Sequence, residues 1–186
     1  MCNFYLQRLK IKSLGITSAG SKDGKSFIAI NLSIVLAQSG KRVLLLDADL
    51  RNSTLGNYFD LKTFKPGLST YLIGSNNLND CILSPGIKNL DIIPAGPKPP
   101  NPSDLLLSPK TEHLLNELSN SYDFVVVDAP PIGLVGDFLI ASKFFEINLY
   151  VVRHRYTRKN SFEKINNVHK SQILKNLHII FNDTTA

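Results

Sequence analysis

A chain of 186 residues with 43% hydrophobic and 19% charged residues suits one α/β domain, spanning 1–186, with a substantial core, and excludes a disordered or fibrous protein. Its two cysteines, Cys2 and Cys81, stand in no Cys-x-x-Cys or Cys/His spacing, which excludes a disulfide framework or zinc site and points to a reducing cytoplasm. The net charge of +6 is concentrated late, with seven Lys/Arg from Arg153 to Lys175 against Glu163 alone; this is either a solvated helix face or a surface for an acidic partner.

At the N-terminus Arg8, Lys10 and Lys12 follow a short apolar patch, the reverse of a secretory signal. A first buried strand is predicted at Ser13 to Thr17. A helix from Lys25 to Ser39 follows, closed by Gly40. Further strands are expected at Arg42 to Leu46, Leu90 to Pro94, Asp123 to Val127, Asn148 to Val152 and Leu177 to Phe181. Each is a short apolar, β-branched run that reads as buried on both faces. Between them fall helical patterns at Thr111 to Ser119, Gly136 to Phe145, and Ser161 to Leu174 opened by Asn160. The stretch from Asn52 to Pro109 is looser, with helical scraps at Ser69 to Ile73 and Asn79 to Leu83, and reads as an excursion at the sheet edge. The apolar window from Ile132 to Val152 is interrupted by Asp137, Lys143 and Glu146, so it is not a spanning helix. Strands alternating with helices predict a doubly wound, mostly parallel α/β sheet, whose ligands bind at the carboxyl ends of the strands.

Three strand ends carry the chemistry. The segment from Thr17 to Ser26, ending Gly24-Lys25-Ser26, links the first strand to the first helix, the context of a phosphate-binding loop. Backbone N–H groups and a helix N-terminus hold polyphosphate there, Lys25 adds a full charge and Ser26 a hydroxyl for Mg²⁺. The candidate nucleotide contacts are Gly20, Ser21, Lys22, Asp23, Gly24, Lys25, Ser26 and Phe27. Ala19 stands where the usual pattern has its first glycine, and Gly20 comes one residue later. The second strand ends Leu46-Asp47-Ala48-Asp49-Leu50-Arg51, two acids that repel each other unless a cation compensates them; a polar turn paired with Arg51 is the plainer alternative. The run Phe124 to Val127 ends in Asp128, the Walker B arrangement that orients Mg²⁺.

Together these segments resemble the bacterial tyrosine kinases that control capsule and exopolysaccharide production. The likeness rests on Gly24-Lys25-Ser26, on Asp47-x-Asp49-x-Arg51, on Asp128-x-x-Pro131, on Pro100-Asn101-Pro102-Ser103-Asp104-Leu105-Leu106, and on Asp137. It implies a P-loop ATPase fold of the partition-ATPase subgroup, with ATP and Mg²⁺ as cofactors. It further implies Asp47 as base toward the incoming hydroxyl, Asp49 and Asp128 as Mg²⁺-holding groups with Ser26, and Asn182 as an adenine contact, against a plain turn-forming Asn. The signature lysine of septum and partition ATPases would fall at Gly20, and Lys22 is displaced from it by two residues. The family also carries an upstream assembly helix and a terminal tyrosine cluster. The expectation is a chain lacking both, beginning just beyond that helix at about Asn3 to Leu6, with weakened self-association. The resemblance also implies a membrane-embedded polysaccharide co-polymerase or activator as partner, or its fused equivalent, and a cytoplasmic location at the inner face of the membrane. Two rivals stay open: a partition-type ATPase switch and a non-catalytic ATP-binding regulator. Nucleic acid is not expected as a partner, because a nucleic-acid module leaves three acids beside a phosphate loop unexplained. The four histidines show no ligand spacing.

Overall fold

The computed structural model of the chain describes residues 12–60, 66–132, 142, 145–170 and 176–184. Cys2, Asn3 to Leu6, Arg8, Lys10, Asp137, Lys143, the segment 171–175 and most of the helix expected from Gly136 to Phe145 lie outside the described residues.

The predicted apolar runs form strands β1 Ser13–Ser18, β2 Val43–Asp47, β3 Leu90–Ile93, β4 Phe124–Asp128, β5 Ile147–Arg153 and β6 Leu177–Asn182. They pair in parallel in the order β3-β2-β4-β1-β5-β6. Around them lie α1 Lys25–Gln38, α2 Leu55–Tyr58, α3 Leu68–Leu72, α4 Leu78–Cys81, α5 Pro102–Leu106, α6 Pro109–Ser121 and α7 Asn160–Lys170. The helices α2 and α5, of four and five residues, were not expected. Helix α1 ends where expected, with Gly40 N bonded to Ala37 O and Lys41 N to Leu36 O.

Strand alternation sorts the core into two layers. Leu44, Leu46, Val125 and Val127 face α6 through Leu114, Leu115 and Leu118. Val43, Leu45, Val126, Leu14 and Ile16 face α1 through Ala29, Ile30 and Leu36. Each large aliphatic side chain buried this way contributes about 1.5–3 kcal/mol, which explains why the central strands read as unbroken apolar runs. Gly15 in β1 is a packing requirement: a Cβ there would lie 2.1 Å from a ring carbon of Phe145.

One expectation is corrected. Strand β6 is not buried on both faces, since Ile179 is 47% and Phe181 62% exposed. It is an edge strand that pairs with β5 alone among the described residues, and a β-branched run has the same appearance at the edge of a sheet as at its centre.

The topology places the carboxyl ends of β2, β4 and β1 next to one another. Asp47 and Asp128 belong to their strands and pair in register.

Candidate functional site

From Ser18 the chain turns through residues 19–24 into α1. Gly24 has φ 97, in the left-handed region, and a Cβ there would lie 2.0 Å from Asn182 Nδ2, so conformation and space both require glycine. Helix α1 starts with no side-chain cap and no acid in its first turn. Its positive end therefore meets the loop uncompensated, as an anion site needs.

Beneath the loop two of the three acids grip one lysine, and the third lies beside them. Lys25 Nζ lies 3.0 Å from Asp49 Oδ2 and 3.1 Å from Asp128 Oδ1. Asp47 and Asp128 have no exposed surface, and Asp49 is buried. Asp47 Oδ1 accepts from Asp49 N at 3.1 Å, and its Oδ2 accepts from Ser53 Oγ at 2.6 Å. Asp49 Oδ1 accepts from Asn52 N at 3.0 Å. Asp128 Oδ2 is buried without a hydrogen-bond partner.

The electrostatics follow from this crowding. Burial, then the neighbouring Asp128 charge, push the Asp47 carboxyl up to about 7, against the opposing pull of the Ser53 hydrogen bond and Lys25. Burial also raises Asp128, although Lys25 acts the other way. For Lys25 burial works against the charged form, but the two carboxylates outweigh it and its pKa rises. Three carboxylates against one ammonium leave the pocket negative when all are ionised, and a buried surplus of this kind is stable only with a further cation or a retained proton.

Above the acids opens a cleft of about 700 Å³. Of the expected nucleotide contacts, Ser21, Lys22, Gly24, Lys25, Ser26 and Phe27 line it, and Asp49 joins them. Asn57 and Tyr58 of α2 supply wall residues that had not been singled out. Gly20, Asp23 and Asn182 are not on the wall, and neither are Asp47 and Asp128.

Gly20, Asp23 and Asn182 instead brace the loop. Asp23 is buried, and its carboxylate accepts from Gly20 N at 2.9 Å and from Thr157 Oγ1 at 2.7 Å. Asn182 Nδ2 donates to Asp23 O at 3.0 Å, and Arg153 Nη1 to Lys22 O at 3.1 Å while its Nε pairs with Asp183. Thr17 Oγ1 ties the end of β1 to Pro130 O at 2.8 Å. A second tie joins two of the quoted motifs, Arg51 Nη2 donating to Ser103 Oγ at 2.7 Å. Sequence reading missed Ser53, Tyr58 and Thr157. Ser53-Thr54 before Leu55 is a helix-start pattern that marks the turn, whereas nothing local singles out Thr157.

Residues 16–142 match the family described as AAA domain. The chain is 37% identical over 181 residues to the tyrosine-protein kinase ptk of Acinetobacter johnsonii, covering 97% of this chain and 25% of that protein. It is 34% identical over 171 residues to the tyrosine-protein kinase CpsD of Streptococcus agalactiae serotype III, covering 92% of this chain and 74% of the relative. The kinase domain of the Escherichia coli tyrosine kinase ETK superposes with a TM-score of 0.86 at 30% identity, covering 100% of this chain and 74% of that one. The chain thus spans a quarter of the first relative's length and about three quarters of the second's.

Proposed function

Because the chain belongs to the bacterial tyrosine-protein kinases, we propose that its cleft transfers the γ-phosphoryl group of ATP to a tyrosine hydroxyl. The observation that carries this reading is the burial of Lys25 between Asp49 and Asp128 beneath an uncapped helix N-terminus. Lys25 and the loop amides bind the β- and γ-phosphate oxygens, and Asp47 orients the acceptor. Phosphoryl transfer has a loose transition state, so positioning and charge neutralisation do most of the work.

The residues fit Mg²⁺. The surplus negative charge and the unpartnered Asp128 Oδ2 are what a divalent cation relieves, with Ser26, Asp49 and Asp128 as the groups that would hold it. Among the described residues no three acidic, His or Cys side chains form a ready-made cage, which suits an ion that arrives on phosphates and keeps its waters. When bound, Mg²⁺ supplies neutralisation of the phosphate oxygens.

Asn182 sits beside Gly24 with its amide nitrogen committed to the loop backbone; its carbonyl oxygen is the group offered to adenine. We place the protein at the inner face of the cell membrane, acting with a membrane-embedded polysaccharide co-polymerase or its fused equivalent in capsule or exopolysaccharide production. Among the described residues no helix is long and apolar enough to cross a membrane, so a partner or another segment would bring it there.

Incubation with Mg²⁺ and γ-labelled ATP, with and without a Tyr-rich acceptor, tests the reading. The expected result is label on tyrosine that is lost in Asp47→Asn. Free phosphate without phosphotyrosine would support an ATPase switch instead, and tight nucleotide binding without turnover a non-catalytic regulator.

A further inference from the structure

Asp47, the proposed base, has no exposed surface. Neither of its oxygens is free: Oδ1 accepts from Asp49 N, and Oδ2 accepts from the Ser53 hydroxyl at 2.6 Å. Ser53 itself is exposed, and its neighbours Asn52 and Thr54 line the cleft. An acceptor entering from solvent therefore meets Ser53 before it meets Asp47. A hydroxyl is both donor and acceptor, so Ser53 has a lone pair to offer outward while its proton points inward.

We propose that Ser53 is a catalytic relay, the group through which the acceptor's proton reaches the buried Asp47. The inference rests on the kinase reading and names a residue that reading does not include. In the step, the acceptor O–H gives its proton to Ser53 Oγ as the Ser53 proton passes to Asp47 Oδ2. The acceptor oxygen bonds the γ-phosphorus, and the bond from that phosphorus to the β-bridging oxygen breaks with its electron pair, leaving ADP. One proton then rests on Asp47, and Ser53 is again a neutral hydroxyl. The arrangement is a nucleophile–base hydrogen bond with one hydroxyl interposed, within the one-bridge reach that acid–base catalysis allows.

Wild type, Ser53→Ala, Ser53→Thr, Asp47→Asn and the Ser53→Ala/Asp47→Asn double variant of the full chain are compared for phosphotyrosine formation, ADP release and affinity for a fluorescent ADP. Ser53→Ala should lower kcat on the order of a hundredfold with the ADP affinity and the KM for ATP unmoved. Ser53→Thr, which keeps the hydroxyl, should recover most of that loss. The double variant should be no slower than Asp47→Asn alone, because groups acting in one chain are not additive. An undiminished kcat in Ser53→Ala, a Ser53→Thr as slow as Ser53→Ala, or additive losses in the double variant would overturn the relay and leave the kinase reading standing. A wild type that makes neither phosphotyrosine nor ADP overturns both.

Discussion

The loop from Ala19 to Gly24 is flanked by two acidic neighbourhoods that look alike in sequence and differ in physics. On the inner side Asp49 and Asp128 both pair with the Lys25 ammonium, Asp47 lies beside them held by Asp49 N and Ser53 Oγ, and one carboxylate oxygen of Asp128 is left without a partner. On the outer side Asp23 is as buried as Asp49, yet both of its oxygens are satisfied, by Gly20 N and Thr157 Oγ1. Arg153 and Asp183 complete that side as a partly exposed pair. The difference teaches that burial of an acid is not a sign of ligand chemistry; a deficit of partners is. The inner cluster is unfinished until charge arrives, while the outer one is a closed brace.

The sharpest way to break the comparison is Lys25→Ala. Removing the cation that pairs with two of these three buried acids should cost about 3–5 kcal/mol of stability at pH 8, read by urea denaturation. Nucleotide affinity should fall about ten- to a hundredfold, as the loss of a charge-assisted contact of about 1.5–3 kcal/mol requires. An unchanged ATP affinity in this variant would remove Lys25 from the phosphate site.

Asp47→Asn comes next. The folded protein holds the Asp47 proton up to about pH 7, whereas an ordinary aspartate releases it near 3.8. The folded state therefore binds more protons between those values, and stability is lost as pH rises through that window. The Asn variant has no such proton to lose, so at pH 8 it should be more stable than wild type by roughly 2–4 kcal/mol, with the gap closing towards pH 4. Parallel denaturation series at both pH values check this, and a gap independent of pH would mean that Asp47 is not strained by its neighbours.

On the outer side the effects shrink. Thr157→Val leaves Asp23 one donor short and should cost about 1 kcal/mol, with less than a tenfold change in fluorescent-ADP affinity. Arg153→Ala removes a pair with both members at least a third exposed, and should change stability by no more than about 0.5 kcal/mol, less at high salt. If Arg153→Ala rivals Lys25→Ala, the two neighbourhoods are not different in kind.

Much of this was legible in the residues. The strand runs of β1, β2 and β4 are apolar because both faces are covered; β2 and β4 end in Asp47 and Asp128 and β1 leads into the loop before Lys25, so a linear reading finds Lys25, Asp47, Asp49 and Asp128 together. The brace was not legible, because Asp23 meets Thr157 and Asn182 only through the pairing of β5 with β1 and of β6 with β5, and hydrogen bonds between distant segments leave no local period. Ser53 was hidden for a related reason: its residue type suggests a turn, and only the direction of its hydroxyl gives it a partner. The exposed face of β6 was missed because composition registers apolar character and not neighbours.

The strand order also sets when the site can exist. β1 carries the phosphate loop but pairs with neither of the next two strands in the chain; Ser13 joins Val125 and Leu14 joins Ile147. Contacts between residues so far apart form late and slowly, since a long loop must close before they contribute. A chain emerging from the ribosome thus displays Lys25 and Ser26 long before β4 is synthesised, and holds no finished site until β4 and β5 have flanked β1. Refolding should accordingly be slow compared with a helical bundle of the same length, and on the proposed kinase reading Mg-ADP should bind only the assembled strand ends and so retard unfolding far more than it accelerates folding.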